Sequence, residues 1–193
     1  IRASERVESD PMLVGSIVYP EIMRYSALQD EIERFLVHGV YVRFGLSQGD
    51  FSIGVFQMKP SFVESLERRW NLADTLPSHY LLYFSTMNRS EFSRSQRIRK
   101  MTSVEGQCLY AAVFVKLMEH CLDVSANIPD AAERVRLMAT AYNRGVVWNV
   151  TTLDEIEKWS HKATFHTDMI ATPFSKYCRY GDIAVEHYNF LNK

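Results

Sequence analysis

Cysteine is scarce in this chain, and its placement gives no framework. Cys108, Cys121 and Cys178 are an odd set, so at most one internal bridge can form and one thiol is left over. No histidine pattern lies between Cys108 and Cys121, which rules out zinc-ligand spacing there, and the three are expected as small buried hydrophobes. Among the histidines only His161 and His166 are close enough to suggest a ligand pair. No third ligand follows them, so no metal is expected. Charge of either sign is not in excess. The formal net charge of −1 supplies no field toward nucleic acid or an anionic membrane, and neither partner is expected. Long apolar runs are missing as well. The longest, Leu109–Met118, is interrupted by Lys116 and falls well short of the roughly 20 residues of a membrane span, so no transmembrane segment is expected. There is no Gly-x-Ser-x-Gly elbow, phosphate loop or dinucleotide fingerprint, and no cofactor is expected.

What is present suits one globular domain, residues 1–193. Hydrophobic residues make up 47% of the chain and aromatic ones 12%, enough at this length to bury a core without disulfides or metals. The first eight residues, rich in Arg, Glu and Ser, read as a loose terminus. Pro11 suits the first turn of a helix, and apolar residues then recur at helical spacing from Leu13 to Leu36, interrupted by Pro20. Gly39 is expected to stop this helix, Val40–Phe44 to form a short strand or extended segment, and Gly45–Gly54 to form a loop. Helices are predicted over 60–70, 89–101, 103–122, 129–142 (ended by Gly145), 153–159 and 182–191, while Tyr80–Phe84 is ambiguous. The stretch 103–122 is apolar nearly all round, as a central helix should be. The basic run 89–100 reads as a solvated helix face. Strand signals are few, so the expected fold is mainly α, with at most a small extended or β element.

Three separated segments carry the chemistry. Glu21 follows Pro20 directly, so it lies on a helical distortion among Tyr19, Ile22 and Tyr25. A glutamate in apolar surroundings has a raised pKa and can deliver a proton to a glycosidic oxygen. Arg24, one helical turn on, would favour the ionised form, so such a role requires Arg24 to turn elsewhere, for example to Asp50. The second segment runs from Ser52 to Met58. Gly54 permits close backbone approach, Gln57 can both donate and accept hydrogen bonds, and Phe56 and Met58 would pack or line a groove. The third is Ala141-Tyr142-Asn143 before Arg144-Gly145, where Tyr142 and Asn143 offer polar groups to a sugar. Each has a plain reading too: an ordinary helix glutamate, a glycine turn before a helix, and an aromatic with a polar C-cap.

A glutamate, a Ser-x-Gly-x-x-Gln-Met block and Ala-Tyr-Asn-x-Gly, in this order, resemble the lytic transglycosylase and goose-type lysozyme family over about residues 12–145. The resemblance implies a single lysozyme-like helical domain, with 146–193 as a helical C-terminal extension. It implies an exported protein of the bacterial periplasm or cell envelope that acts on peptidoglycan glycan strands. It makes Glu21 the acid and then the base, with Ser52, Gly54, Phe56, Gln57, Met58, Tyr142 and Asn143 binding substrate. In that family no second carboxylate is needed. Two alternatives stand beside it: a hydrolytic lysozyme in which Asp50 activates water, and a catalytically inactive glycan-binding or structural domain. Two departures from the pattern are legible. Ile22 occupies the position where the family usually has serine, leaving Ser26 or Ser52 as substitutes. An insertion around Phe35–Gln48 lengthens the gap from Glu21 to Gly54. If the substrate is cell wall, the basic run 89–100 would meet its acidic peptide stems. Trp159, Tyr177, Tyr180 and Tyr188 are candidates to wall a glycan groove.

Overall fold

The computed structural model of the chain describes residues 2–25, 39–72, 90–121, 128–146, 148, 151–166, 168 and 172–193. The expected helical continuation over 26–37, the ambiguous Tyr80–Phe84 and the substitute Ser26 lie outside these residues. The described residues are mainly helical, and their only β pairing is two isolated bridges, Ile53 with Met58 and Phe165 with Cys178. None of these helices is long and apolar enough to cross a membrane.

Helix α1 (Arg2–Val7) replaces the loose terminus expected from composition. Ser4 and Val7 are buried, and the helix packs on the central helix. Helix α2 (Pro11–Arg24) starts where predicted: the Asp10 carboxylate caps it by accepting from the Met12 N–H at 2.8 Å, and Pro11 opens its first turn. Residues 39–44 are helical, so Gly39 lies inside a helical turn and Val40–Phe44 is not a strand. The reason is tertiary. Tyr41 is fully buried, and Arg94 donates to the Val42 carbonyl (2.7 Å) and the Arg43 carbonyl (3.3 Å), satisfying acceptors that the turn leaves open.

Helices α3 (Pro60–Asn71), α4 (Glu91–Met101), α5 (Val104–Cys121), α6 (Ala131–Arg144), α7 (Leu153–Ser160) and α8 (Tyr180–Leu191) follow close to their predicted positions. α5 is the centre: Leu109–Val115, Leu117 and Met118 are all buried. α1, α2, α3, α4 and α6 pack around it. α8 lies across α2 and α6. Its approach to α6 depends on Gly181, where a Cβ would sit 2.7 Å from the Arg136 carbonyl oxygen. Cys108 and Cys178 are partly buried thiols without a disulfide, held protonated by burial. The side chain of Cys121 lies outside the described set.

The basic run within α4 is only in part the solvated face its composition suggests: Arg99 is exposed, but Arg97 is not. Arg97 is buried, and its Nε and Nη2 donate to Glu67 Oε2 at 2.9 and 2.6 Å. Its Nη1 donates to the Tyr41 hydroxyl at 2.5 Å and to Glu64 Oε1 at 3.3 Å. Tyr41 donates to Glu64 Oε1 at 2.6 Å, and Tyr110 of α5 donates to Glu67 Oε1 at 2.7 Å. This satisfied network ties α3, α4, α5 and the 39–44 turn together. Breaking a buried ion pair from one side leaves the other charge uncompensated. Arg97→Met is therefore expected to cost about 3–5 kcal/mol in urea unfolding. A loss well under about 1 kcal/mol would mean that the network only fills space.

Candidate active site

Glu21 lies at the distorted end of α2 and is 4% exposed. Pro20 lacks the N–H that an unbroken helix would send to the Ser16 carbonyl. One carbonyl further on, the Tyr180 hydroxyl, from the start of α8, meets the backbone. It donates to the Ile17 carbonyl at 3.1 Å and accepts the Glu21 backbone N–H, the two groups a regular helix joins to each other. α8 holds the same stretch twice more. His187 Nδ1 pairs with Ser16 Oγ at 3.2 Å, and the His187 ring stacks on Tyr19 at 3.8 Å.

Arg24 does not turn away, as a simple acid would require. Its Nη2 donates to Glu21 Oε2 at 2.6 Å, and its guanidinium lies 4.8 Å from the Phe165 ring centre. The Asn143 side chain also hydrogen-bonds to the carboxylate. Burial still outweighs both: desolvation pushes the Glu21 pKa up, against the pull of Arg24 and Asn143. Ile22, which the resemblance would put at a serine position, is exposed. Support for the carboxyl comes from Asn143 instead.

The second segment forms a tight turn. The Ile53 and Met58 backbones exchange hydrogen bonds of 2.9 and 3.0 Å, and the Gly54 carbonyl accepts both the backbone N–H (2.9 Å) and the side-chain amide (3.0 Å) of Gln57. Gly54 has φ +78° and Gln57 φ +50°. The Gln57 conformation costs a non-glycine residue about 1–2 kcal/mol and is held by these bonds. Gly54 approaches the buried Gln107 amide rather than the cleft: an added Cβ would sit 1.9 Å from Gln107 Nε2. Gln107 Oε1 accepts the Phe56 N–H at 2.8 Å, and the Tyr142 hydroxyl donates to the Phe56 carbonyl at 2.8 Å. The third segment thus fixes the second.

An open cleft of about 680 Å³ joins these parts. Glu21, Arg24, Tyr142 and Asn143 line it, together with Ser52, Gln57 and Met58 of the turn. Gly54 and Phe56 do not; they are buried behind it. Asp50 lines the cleft, but both its oxygens are engaged: Oδ1 accepts the Ser61 N–H at 2.8 Å and Oδ2 the Ser61 hydroxyl at 2.7 Å, which caps α3. Tyr142 is buried edge-on against Phe62 (5.3 Å) and Phe114 (5.5 Å), and burial beside Glu21 holds its hydroxyl well above the usual phenol range. Among the described residues no group of three or more metal-ligating side chains gathers anywhere.

Trp159, Tyr177, Tyr180 and Tyr188 do not wall the cleft. Its second side is α3, which presents Ser61, Ser65 and Arg68, with Arg69 beside them and the apolar Leu72 at the C-cap in line with them. Their spacing of four, three and four residues is one helix face, and that polar stripe was available in the sequence opposite Val63, Leu66 and Trp70. Tyr180 carried no such local signal.

The raised pKa of Glu21 has a consequence for stability. The folded chain holds this proton more tightly than the unfolded one. The stability it brings is complete below the ordinary carboxylate value and is lost as pH rises through the raised value. Glu21→Gln is therefore expected to match the parent in acid and to exceed it at neutral pH, read from urea midpoints. A variant less stable at neutral pH would show that the Arg24 ion pair dominates over burial. Comparison with family models, with curated proteins and with solved structures finds no match for this chain.

Proposed function

We propose that this chain is a glycan-cleaving enzyme of the lytic transglycosylase type, acting on the β-1,4 linkage between N-acetylmuramic acid and N-acetylglucosamine. The observation that carries the reading is the buried, raised-pKa carboxyl of Glu21 on an open cleft, with Asn143, Tyr142 and Gln57 lining the same space. The protonated carboxyl gives its proton to the glycosidic oxygen as the bond to the muramic acid C1 breaks. The substrate's own acetamido group stabilises the cation left at C1. The Glu21 carboxylate then takes the proton from the 6-hydroxyl, whose oxygen closes on C1 as a 1,6-anhydro ring. No water is consumed, and Glu21 ends as it began. The substrate implies a bacterial periplasm or envelope as the place of action.

Asp50 is less suited to activating water while both of its oxygens hold Ser61. The Arg24 contact favours a second reading, a glycan-binding domain without turnover, because it stabilises the carboxylate over the acid. Digestion of purified peptidoglycan with mass analysis separates the cases: anhydro ends are expected, reducing ends would indicate hydrolysis, and binding without release the inert domain. Glu21→Gln should lose cleavage by at least about a hundredfold, the scale of a lost general acid. Full activity in that variant removes Glu21 from the mechanism.

Arg24 sets the working range. It pulls the Glu21 pKa down against burial, so Arg24→Met should let the acid form persist to higher pH. The alkaline limb of the kcat/KM profile should move upward, and Arg24→Lys should hold it nearer its original position. An unmoved limb in Arg24→Met would show that the cation does not act on the reacting carboxyl.

A further inference from the structure

The cleft carries charge that the chemistry at Glu21 does not use. Of the two carboxylates among its described lining residues, Glu21 is buried against Arg24 and Asp50 caps α3. Lys59, Arg68, Arg69 and Arg144 line the same space. The chain as a whole has a net charge of −1, so this concentration of cations is local. Arg68 and Arg144 stand in the last turns of α3 and α6, where they also offset helix dipoles. Lys59 has no such role. It occupies the N-cap of α3, where a cation is disfavoured. Lys59, Arg68 and Arg144 are exposed, so they meet a ligand without first being stripped of partners in the core. Hydroxyl and acetamido groups of a neutral sugar do not call for cations.

We infer that the cleft takes a glycan bearing carboxylate substituents, and that Lys59, Arg68 and Arg144 grip those carboxylates beside the scissile linkage. This rests on the glycan-cleaving reading above. Two sources supply the same chemistry: the free lactyl carboxylate of an unsubstituted muramic acid, and the carboxylates of attached peptides.

The test measures binding by cleavage-blocked Glu21→Gln protein to three probes: a neutral N-acetylglucosamine oligomer, a peptide-free muramic-acid strand, and a peptide-bearing strand. At low salt, at least one carboxylate strand should bind about fivefold to tenfold more tightly than the neutral oligomer, as expected for two or three exposed ion pairs. The advantage should shrink as salt rises. Whichever carboxylate strand leads identifies the source. Adding Lys59→Ala, Arg68→Ala and Arg144→Ala should bring the probes to within about twofold. The arginine-to-lysine pair at 68 and 144 should restore most of the difference, and thermal melting checks that each variant is folded. Equal binding of neutral and carboxylate strands, or an advantage that survives the triple substitution, overturns the inference. No binding to any of the three probes refutes the glycan reading itself, and this inference with it.

Discussion

Taking the Glu21 carboxyl out of water is the constraint on which the rest of this molecule turns. A carboxyl surrounded by protein resists ionisation, and the fold must hold that unfavourable group in one place. It does so by a defect. Pro20 breaks the hydrogen-bond ladder one residue before the acid, leaving the Ser16 carbonyl without its helical donor, and a tyrosine from α8 binds the next carbonyl, that of Ile17. Arg24 and Asn143 then set how far burial prevails, since each favours the charged form. The acid is poised by opposed influences, and substitutions around it act on that balance rather than on a single contact.

The same economy shapes the opposite side of the cleft. The Gly54–Gln57 turn is held from behind by the Gln107 amide and the Tyr142 hydroxyl, so its Gln57 face is presented without relying on a ligand for order. Tyr142 serves packing, turn anchoring and cleft lining at once, so the plain aromatic reading and the cleft-lining one each describe part of it. The buried Arg97 network plays a different part. It joins α3 to α4 and α5, and α3 is the helix that carries the cleft's second face.

Much of the architecture was legible because it depends on local pattern. Pro11 marks the start of α2, Gly145 the end of α6, and the apolar α5 the centre, each through end signals or periodicity. The failures share a cause. Val40–Phe44 became helical because Arg94 supplied its open carbonyls from a distant helix, and Arg97 went inside because Glu67 and Glu64 awaited it. Composition could not pair groups so far apart. Glu21, Gln57, Tyr142 and Asn143 were nominated from residue type and order, and the fold brings them to one cleft. Gly54 and Phe56 were nominated with them but support the site from inside. Tyr180 was named as a groove wall and instead binds the Ile17 carbonyl, a role that exists only in three dimensions.

The Tyr180 contact has a temporal side. Its hydroxyl meets the Ile17 carbonyl across 163 positions of sequence. In synthesis Glu21 emerges well before Tyr180, so a chain still leaving the ribosome can hold the acid without the hydroxyl that binds the Ile17 carbonyl. Long-separation contacts of this kind also form late in folding, after their loop entropy is met. The setting of the Glu21 carboxyl is thereby completed only after the long stretch that separates it from Tyr180 has been made.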